Sequence, residues 1–174
     1  MLDLNSVIDF ANEANDEIGK YMIDVTLSPK KMMSDEYDFA SLDWSSISYG
    51  DKELEKVPDD KRGVYAFVVC HPSDVLPPHG YVLYIGIAGR KSQRSLRARY
   101  KDYLSQSGVL KRPKIARMIG HWHEVLRFFF VPVDEDVSSE ELEKLEQQLN
   151  TALIPPFSVG DLEADTKRKR RAFT

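Results

Sequence analysis

The run Gly63-Val64-Tyr65-Ala66-Phe67-Val68-Val69-Cys70, followed by Tyr81-Val82-Leu83-Tyr84-Ile85-Gly86-Ile87-Ala88-Gly89, decides the fold. Both stretches are apolar and rich in β-branched and aromatic residues, as strands are. Each also holds a tyrosine close to a glycine. Glycine weakens a strand interior and marks a bulge or a close approach by another backbone or a ligand. Core packing alone does not call for a phenol beside such a gap, so the pair invites a chemical explanation. The link from His71 to Gly80, with Pro72, Pro77 and Pro78, reads as a loop, and strands joined this way pair antiparallel.

Outward from this pair, residues 5–22 space Val7, Ile8, Phe10, Ala11, Ala14, Ile18, Tyr21 and Met22 as an amphipathic helix, capped by Asn5 or Ser6. Residues 23–60 read as irregular and acidic, with room for one short strand. Pro58-Asp59-Asp60 marks a boundary. Ser92 or Ser95 caps a helix to about 104, and a second helix starts at Pro113 and runs to about 123. Residues 124–133 form a third strand. Ser138 and Glu141 have the spacing of a capping box for a last helix, which Pro155-Pro156 ends. Residues 160–174 look frayed and basic. The expected fold class is α/β of the α+β kind, a small antiparallel three-stranded sheet flanked by helices. Residues 1–61 form an acidic helical or irregular N-terminal extension, 62–158 the domain proper and 159–174 a basic C-terminal tail.

A chain of 174 residues suits one domain with a short appendage. Hydrophobic content of 42% and charged content of 30% are ordinary for a globular protein. No apolar run is long enough to span a bilayer, and Met1-Leu2-Asp3-Leu4-Asn5 does not read as a secretory leader. The single cysteine, Cys70, excludes an internal disulfide and fits a reducing compartment. A cytoplasmic protein without a membrane partner is expected. Charge is segregated. Residues 1–60 hold 5 Lys/Arg against 15 Asp/Glu, whereas residues 90–117 hold 10 Lys/Arg against Asp102 alone. The tail adds Lys167-Arg168-Lys169-Arg170-Arg171. A local positive field of this kind holds a polyanion even on an acidic protein, although a solvated helix face gives the same pattern. The tail likewise reads either as extra phosphate contacts or as a solubilising end.

On the last helix Leu142, Leu145, Leu149 and Leu153 form a buried stripe, and Glu146 falls on the same face. Buried carboxylates are rare unless paired or metal-bound. Two readings stay open for Glu146: an ion pair with a neighbouring arginine at the edge of the core, or a working carboxylate. On the helix after the second strand, Leu96, Tyr100, Tyr103 and Leu104 point inward with Arg99 beside them. A guanidinium there either grips phosphate in two-pronged geometry or snorkels over apolar surface. His71, His79, His121 and His123 with Cys70 fit no zinc spacing. Trp122 and Phe128 to Phe130 read as core.

Taken in order, Gly63-Val64-Tyr65, Tyr84-Ile85-Gly86, Leu96-x-x-Arg99, and Glu146 followed by Pro155 resemble the GIY-YIG nuclease domain. That family includes homing endonucleases and the incision subunit of bacterial nucleotide excision repair. The resemblance covers residues 62–158. It implies that Tyr65 contacts or deprotonates the attacking water and that Tyr84 supports that water or the scissile phosphate. Arg99 would hold the phosphate, and Glu146 would be the single protein ligand of Mg²⁺ or Mn²⁺. Gly86 would let backbone and substrate approach closely. The chain departs from the family in three places. Gly89 to Gln93 lengthens the step to the arginine, which keeps Arg94 and Arg97 as alternatives. Ser158 stands where the family often has asparagine, and Val64 replaces isoleucine.

The chemistry is coherent. An arginine and a metal stabilise charge on the phosphate, and one carboxylate suffices for a cation that keeps its waters. Arg90, Lys91, Arg94, Arg97, Lys101, Lys111, Arg112 and Lys114 would track a DNA backbone beside Gly86. The expected function is a Mg²⁺-dependent endonuclease that hydrolyses DNA phosphodiester bonds by a one-metal route. The alternative is a catalytically weak or inactive nucleic-acid-binding module of the same fold. A more distant rival is an interaction protein whose acidic N-terminal segment mimics DNA or inhibits the cleft. That extension is also the candidate surface for a protein partner or a homodimer.

Overall fold

A computed structural model describes residues 3–34, 42–71, 79–158, 160 and 162–171, apart from the side chains of His71 and His79. The loop expected between the first two strands falls largely outside these residues. The two decisive stretches become β2 (Gly63–His71) and β3 (His79–Ala88), paired antiparallel as expected. The third expected strand is β4 (Leu126–Pro132), which pairs antiparallel with the other side of β2. The sheet has four strands rather than three. β1 (Ser45–Ser48), from the acidic extension, adds to the outer side of β4, giving the order β1-β4-β2-β3.

Side-chain alternation along β2 sorts the core into two layers. Tyr65 and Phe67 face α3 (Leu96–Leu104) and α5 (Pro113–Trp122), packing with Tyr100, Tyr103, Met118 and Phe128. Val64, Ala66 and Val68 face α6 (Ser139–Leu153), where Leu142 and Leu149 complete the layer. Along β3 the alternation breaks once. Phe67 pairs with Tyr84 but Val68 with Val82, so Leu83 is an inserted residue. This bulge turns both Leu83 and Tyr84 towards the α3 layer while Ile85 keeps the α6 side.

Ser95 caps α3 through the Ala98 amide, and Ser138 with Glu141 forms both bonds of the capping box at α6. α6 ends on Ile154 in a left-handed conformation, φ 43°. The following prolines then run the chain beside β3. There Phe157 N–H donates to Leu83 O at 3.0 Å, and Ser158 Oγ accepts from Ile85 N–H at 2.9 Å. Part of the β3 edge is thereby covered.

Other elements depart from expectation. The first helix, α1 (Leu4–Glu17), is capped by Asp3, and none of its residues is buried. Short helix α2 (Pro29–Met32) appears in the segment read as irregular, and α4 (Gln106–Leu110) between the two expected helices, where no element was assigned. The tail forms α7 (Ala164–Arg170) rather than a frayed end. No helix among the described residues is long and apolar enough to cross a membrane.

Candidate active site

The site lies where the cover on β3 stops. At Ile87 and Gly89 the sheet edge opens into a cleft of about 430 Å³. Tyr84 and Ile87 of β3, the loop residues Gly89 to Ser92 with Arg94, Arg99 of α3 and Glu146 of α6 line it. α3 and α6 cover opposite faces of the sheet. Only at an edge strand can side chains from both layers meet, so the edge position of β3 lets Arg99 and Glu146 share one cleft.

Tyr65 does not line it. Its side chain is fully buried, and its hydroxyl accepts from Arg99 Nε at 3.0 Å and lies 2.6 Å from the Tyr103 hydroxyl. A direct contact with an attacking water, expected for Tyr65, is therefore closed to it as placed. It acts on the cleft through Arg99. Gly86, opposite Tyr65 in the β2–β3 register, is buried beneath that ring. A Cβ there would come within 2.5 Å of Tyr65 Oη. The gap read from sequence as room for substrate is filled by a phenol.

Tyr103, 0% exposed, is the residue that joins the two tyrosines: its hydroxyl meets that of Tyr65, and its ring packs against Tyr84 with centroids 6.3 Å apart. Its inward helical position was legible, but its link to both phenols was not. Burial pushes the Tyr65 phenol well above its usual range, and the neighbouring Tyr103 and Tyr84 add to that. Tyr84 is raised by burial first and then by Tyr103. Both stay protonated at neutral pH. Burial opposes the charge on Arg99, but the phenol oxygens of Tyr65, Tyr103 and Tyr84 outweigh it and keep the guanidinium ionised. Arg99 NH1 also reaches Asp102 at 3.4 Å.

Glu146 is 3% exposed and forms an ion pair with Arg90. Both of its readings thus have a physical basis: it has an arginine partner, and it faces a cleft. Arg94 and Lys91 are exposed on the cleft, and Arg94 pairs with Asp102 at 2.6 Å. Arg97 faces elsewhere. It donates to Val57 O at 2.7 Å and pairs with Glu55 and Asp59 at 2.8 and 3.0 Å, clamping the extension to α3. Its role as an alternative phosphate ligand gives way to that clamp. Arg112 lies 4.3 Å over the Tyr103 ring and donates to Gly108 O and Asp102 O, so it too is engaged inside the fold. Lys101, Lys111 and Lys114 are exposed but are not part of the cleft wall. Ser158 is buried, and its hydroxyl also donates to Ile85 O at 3.2 Å. It ties down β3 one residue before Gly86.

Among the described residues no three His, Cys, Asp or Glu side chains gather as a metal cluster. One hard carboxylate in a cleft open to an anion fits Mg²⁺ or Mn²⁺, which take water and substrate oxygens as further ligands, and does not fit zinc. Comparison with protein-family models, with curated proteins and with solved structures yields no match.

Proposed function

We propose that the chain is a GIY-YIG-type endonuclease that hydrolyses DNA phosphodiester bonds with Mg²⁺ or Mn²⁺. The observation that carries this reading is the convergence of Tyr84, Arg99 and Glu146 on one cleft, with Tyr65 hydrogen-bonded to Arg99 behind it. Tyr84, Arg99 and Glu146 come from three separate elements and have no packing reason to gather round an open, cationic space. Arg90, Lys91, Arg94 and Arg99 surround it against Glu146, a charge balance suited to a phosphate group.

In this reading Arg99, fixed by Tyr65 and Asp102, grips the non-bridging oxygens of the phosphate and neutralises charge as it develops. Tyr84, a neutral phenol, orients the attacking water or a phosphate oxygen by hydrogen bonding. Tyr65, bonded to both Tyr103 and Arg99, holds the guanidinium in place beside Tyr84. Glu146 would hold the divalent ion, which supplies charge neutralisation at the scissile phosphate when bound. The serine in place of asparagine does not weaken the reading. Its hydroxyl already satisfies both backbone groups of Ile85, a structural duty that a short polar side chain can perform.

The test is nicking of supercoiled and branched DNA with Mg²⁺. Wild-type protein should cut, and Arg99→Ala and Glu146→Ala should not. DNA binding without nicking by folded wild-type protein would instead support the inactive module.

A further inference from the structure

Resting on that nuclease reading, the geometry points to a second role for Arg90. We infer that Arg90 is a placeholder counter-ion: it occupies Glu146 in DNA-free protein and transfers to an entering phosphate when a divalent cation takes the carboxylate. Sequence alone marked Arg90 only as one of several phosphate contacts.

The two partners are unequally held. The Glu146 side chain is 4% exposed and sits on α6 among the buried leucines, whereas Arg90 is 44% exposed on the loop after Gly89. Gly89 has φ 87°, a left-handed conformation that glycine adopts without strain, and the loop after it lines the cleft. The arginine is the partner able to move. A buried carboxylate left without a counter-ion is costly, so Glu146 needs a cation at all times. The surrounding Lys91, Arg94 and Arg99 repel a second cation until an anion arrives. A phosphodiester supplies that anion and gives Arg90 a new partner of the same charge. Cation and phosphate binding are then coupled, and the coupling is reciprocal. Premature metal loading, and the stray hydrolysis it permits, is suppressed.

The experiment uses the full chain without DNA and titrates Mn²⁺ by electron paramagnetic resonance, with thermal melts alongside. Compared are wild type, Arg90→Gln, Arg90→Lys, and Glu146→Gln in each background. Arg90→Gln should bind Mn²⁺ about 5- to 150-fold more tightly than wild type, the usual span of coupling between sites. Arg90→Lys should stay near wild type, and Glu146→Gln should remove this binding throughout. Mn²⁺ should also raise the melting temperature of Arg90→Gln more than that of wild type. Should Arg90→Gln fail to fold alone, added Mn²⁺ should restore its circular dichroism, and failure to restore it overturns the inference. Equal, Glu146-dependent Mn²⁺ affinity in wild type and Arg90→Gln overturns the placeholder role and leaves the nuclease reading standing. Binding that ignores Glu146 also overturns it. The nuclease reading itself stands or falls on wild-type nicking, which the Mn²⁺ titration leaves untouched.

Discussion

Replacing Gly86 with alanine tests whether the glycine exists to seat Tyr65. The new Cβ would lie 2.5 Å from Tyr65 Oη, 2.7 Å from its Cζ and 3.1 Å from Tyr84 Cε1. The Tyr65 ring is hemmed in by Phe128 and Phe67, with centroids 5.4 and 6.3 Å away. Restoring ordinary contact requires a shift of about 1 Å. Such a shift pulls apart the 2.6 Å bond to Tyr103 and the 3.0 Å bond from Arg99. Overpacking costs about 1–3 kcal/mol, and losing a hydrogen bond to a charged group about 1.5–3 kcal/mol. Together these predict a loss of about 2.5–6 kcal/mol, a large share of the stability of an ordinary domain. Urea denaturation of wild type, Gly86→Ala, Tyr65→Phe and the double mutant measures it. Tyr65→Phe deletes the nearest clashing atom, so the double mutant should be less destabilised than the two singles summed, by about 1 kcal/mol or more. A Gly86→Ala protein within about 0.5 kcal/mol of wild type, or strict additivity, refutes the account.

Glu146→Gln should lower nicking by about a hundredfold or more, the scale of losing one electrostatic stabiliser. Its melting temperature should hold or rise, since removing a buried charge is seldom costly when the partner can reach water. Collapse of the fold would mean the carboxylate is structural. Ser158→Ala leaves two buried backbone groups of Ile85 unpaired and should cost about 2–6 kcal/mol by denaturant titration, whereas an unchanged midpoint contradicts the edge-pinning role. Arg97→Ala should destabilise without altering the salt dependence of DNA binding. Lys91→Ala should do the reverse, lowering the slope of log affinity against log salt by about 0.9. Exchanged outcomes would mean that the basic face has been assigned to the wrong residues.

Local signals in the sequence were strong where the physics is local. The Ser138–Glu141 spacing demanded a helix start, and both capping bonds form. The apolar runs of β2 and β3 demanded strands, and they pair as adjacent strands do. β1 was foreseen only as room for one short strand somewhere in residues 23–60, and its place was not legible, for the opposite reason. Ser45-Ser46-Ile47-Ser48 has one apolar side chain, and its strand character comes from lying against Phe128 to Phe130, far along the chain. The Leu83 bulge is likewise a property of pairing, because no periodicity in β3 announces it. Within the site, the type and order of Tyr84, Arg99 and Glu146 were readable. Depth was not. Alternation says which face Tyr65 occupies, but not that Tyr103 and Gly86 would enclose it. Arg90 sits in an aperiodic loop, where sequence gives charge but no direction.

Those buried phenols set a condition on the chemistry that pH can expose. An unperturbed tyrosine near pKa 10 is ionised in about one molecule per thousand at pH 7, and burial makes Tyr84 scarcer still as phenolate. If Tyr84 served as a phenolate base in free protein, the rate of nicking would climb tenfold per pH unit from neutrality upward. If it orients water as a neutral donor, the rate stays level through this range and falls only once the phenol ionises. Tyr84→Phe would then lower kcat without changing the shape of the profile below pH 9. Stability should follow the same groups. Unfolded phenols lose their protons near pH 10, while Tyr100 is pushed up to about 12 by burial and Tyr65 and Tyr84 are also raised. The advantage of burying them neutral is complete below the unfolded value and drains away as pH rises through the folded ones, by about 1.4 kcal/mol per pH unit for each phenol. A log-linear rise in nicking rate from pH 6 to 9 that disappears in Tyr84→Phe would overturn the neutral-donor role. It would require a cation, brought by the substrate complex, to reverse what the fold does to that hydroxyl.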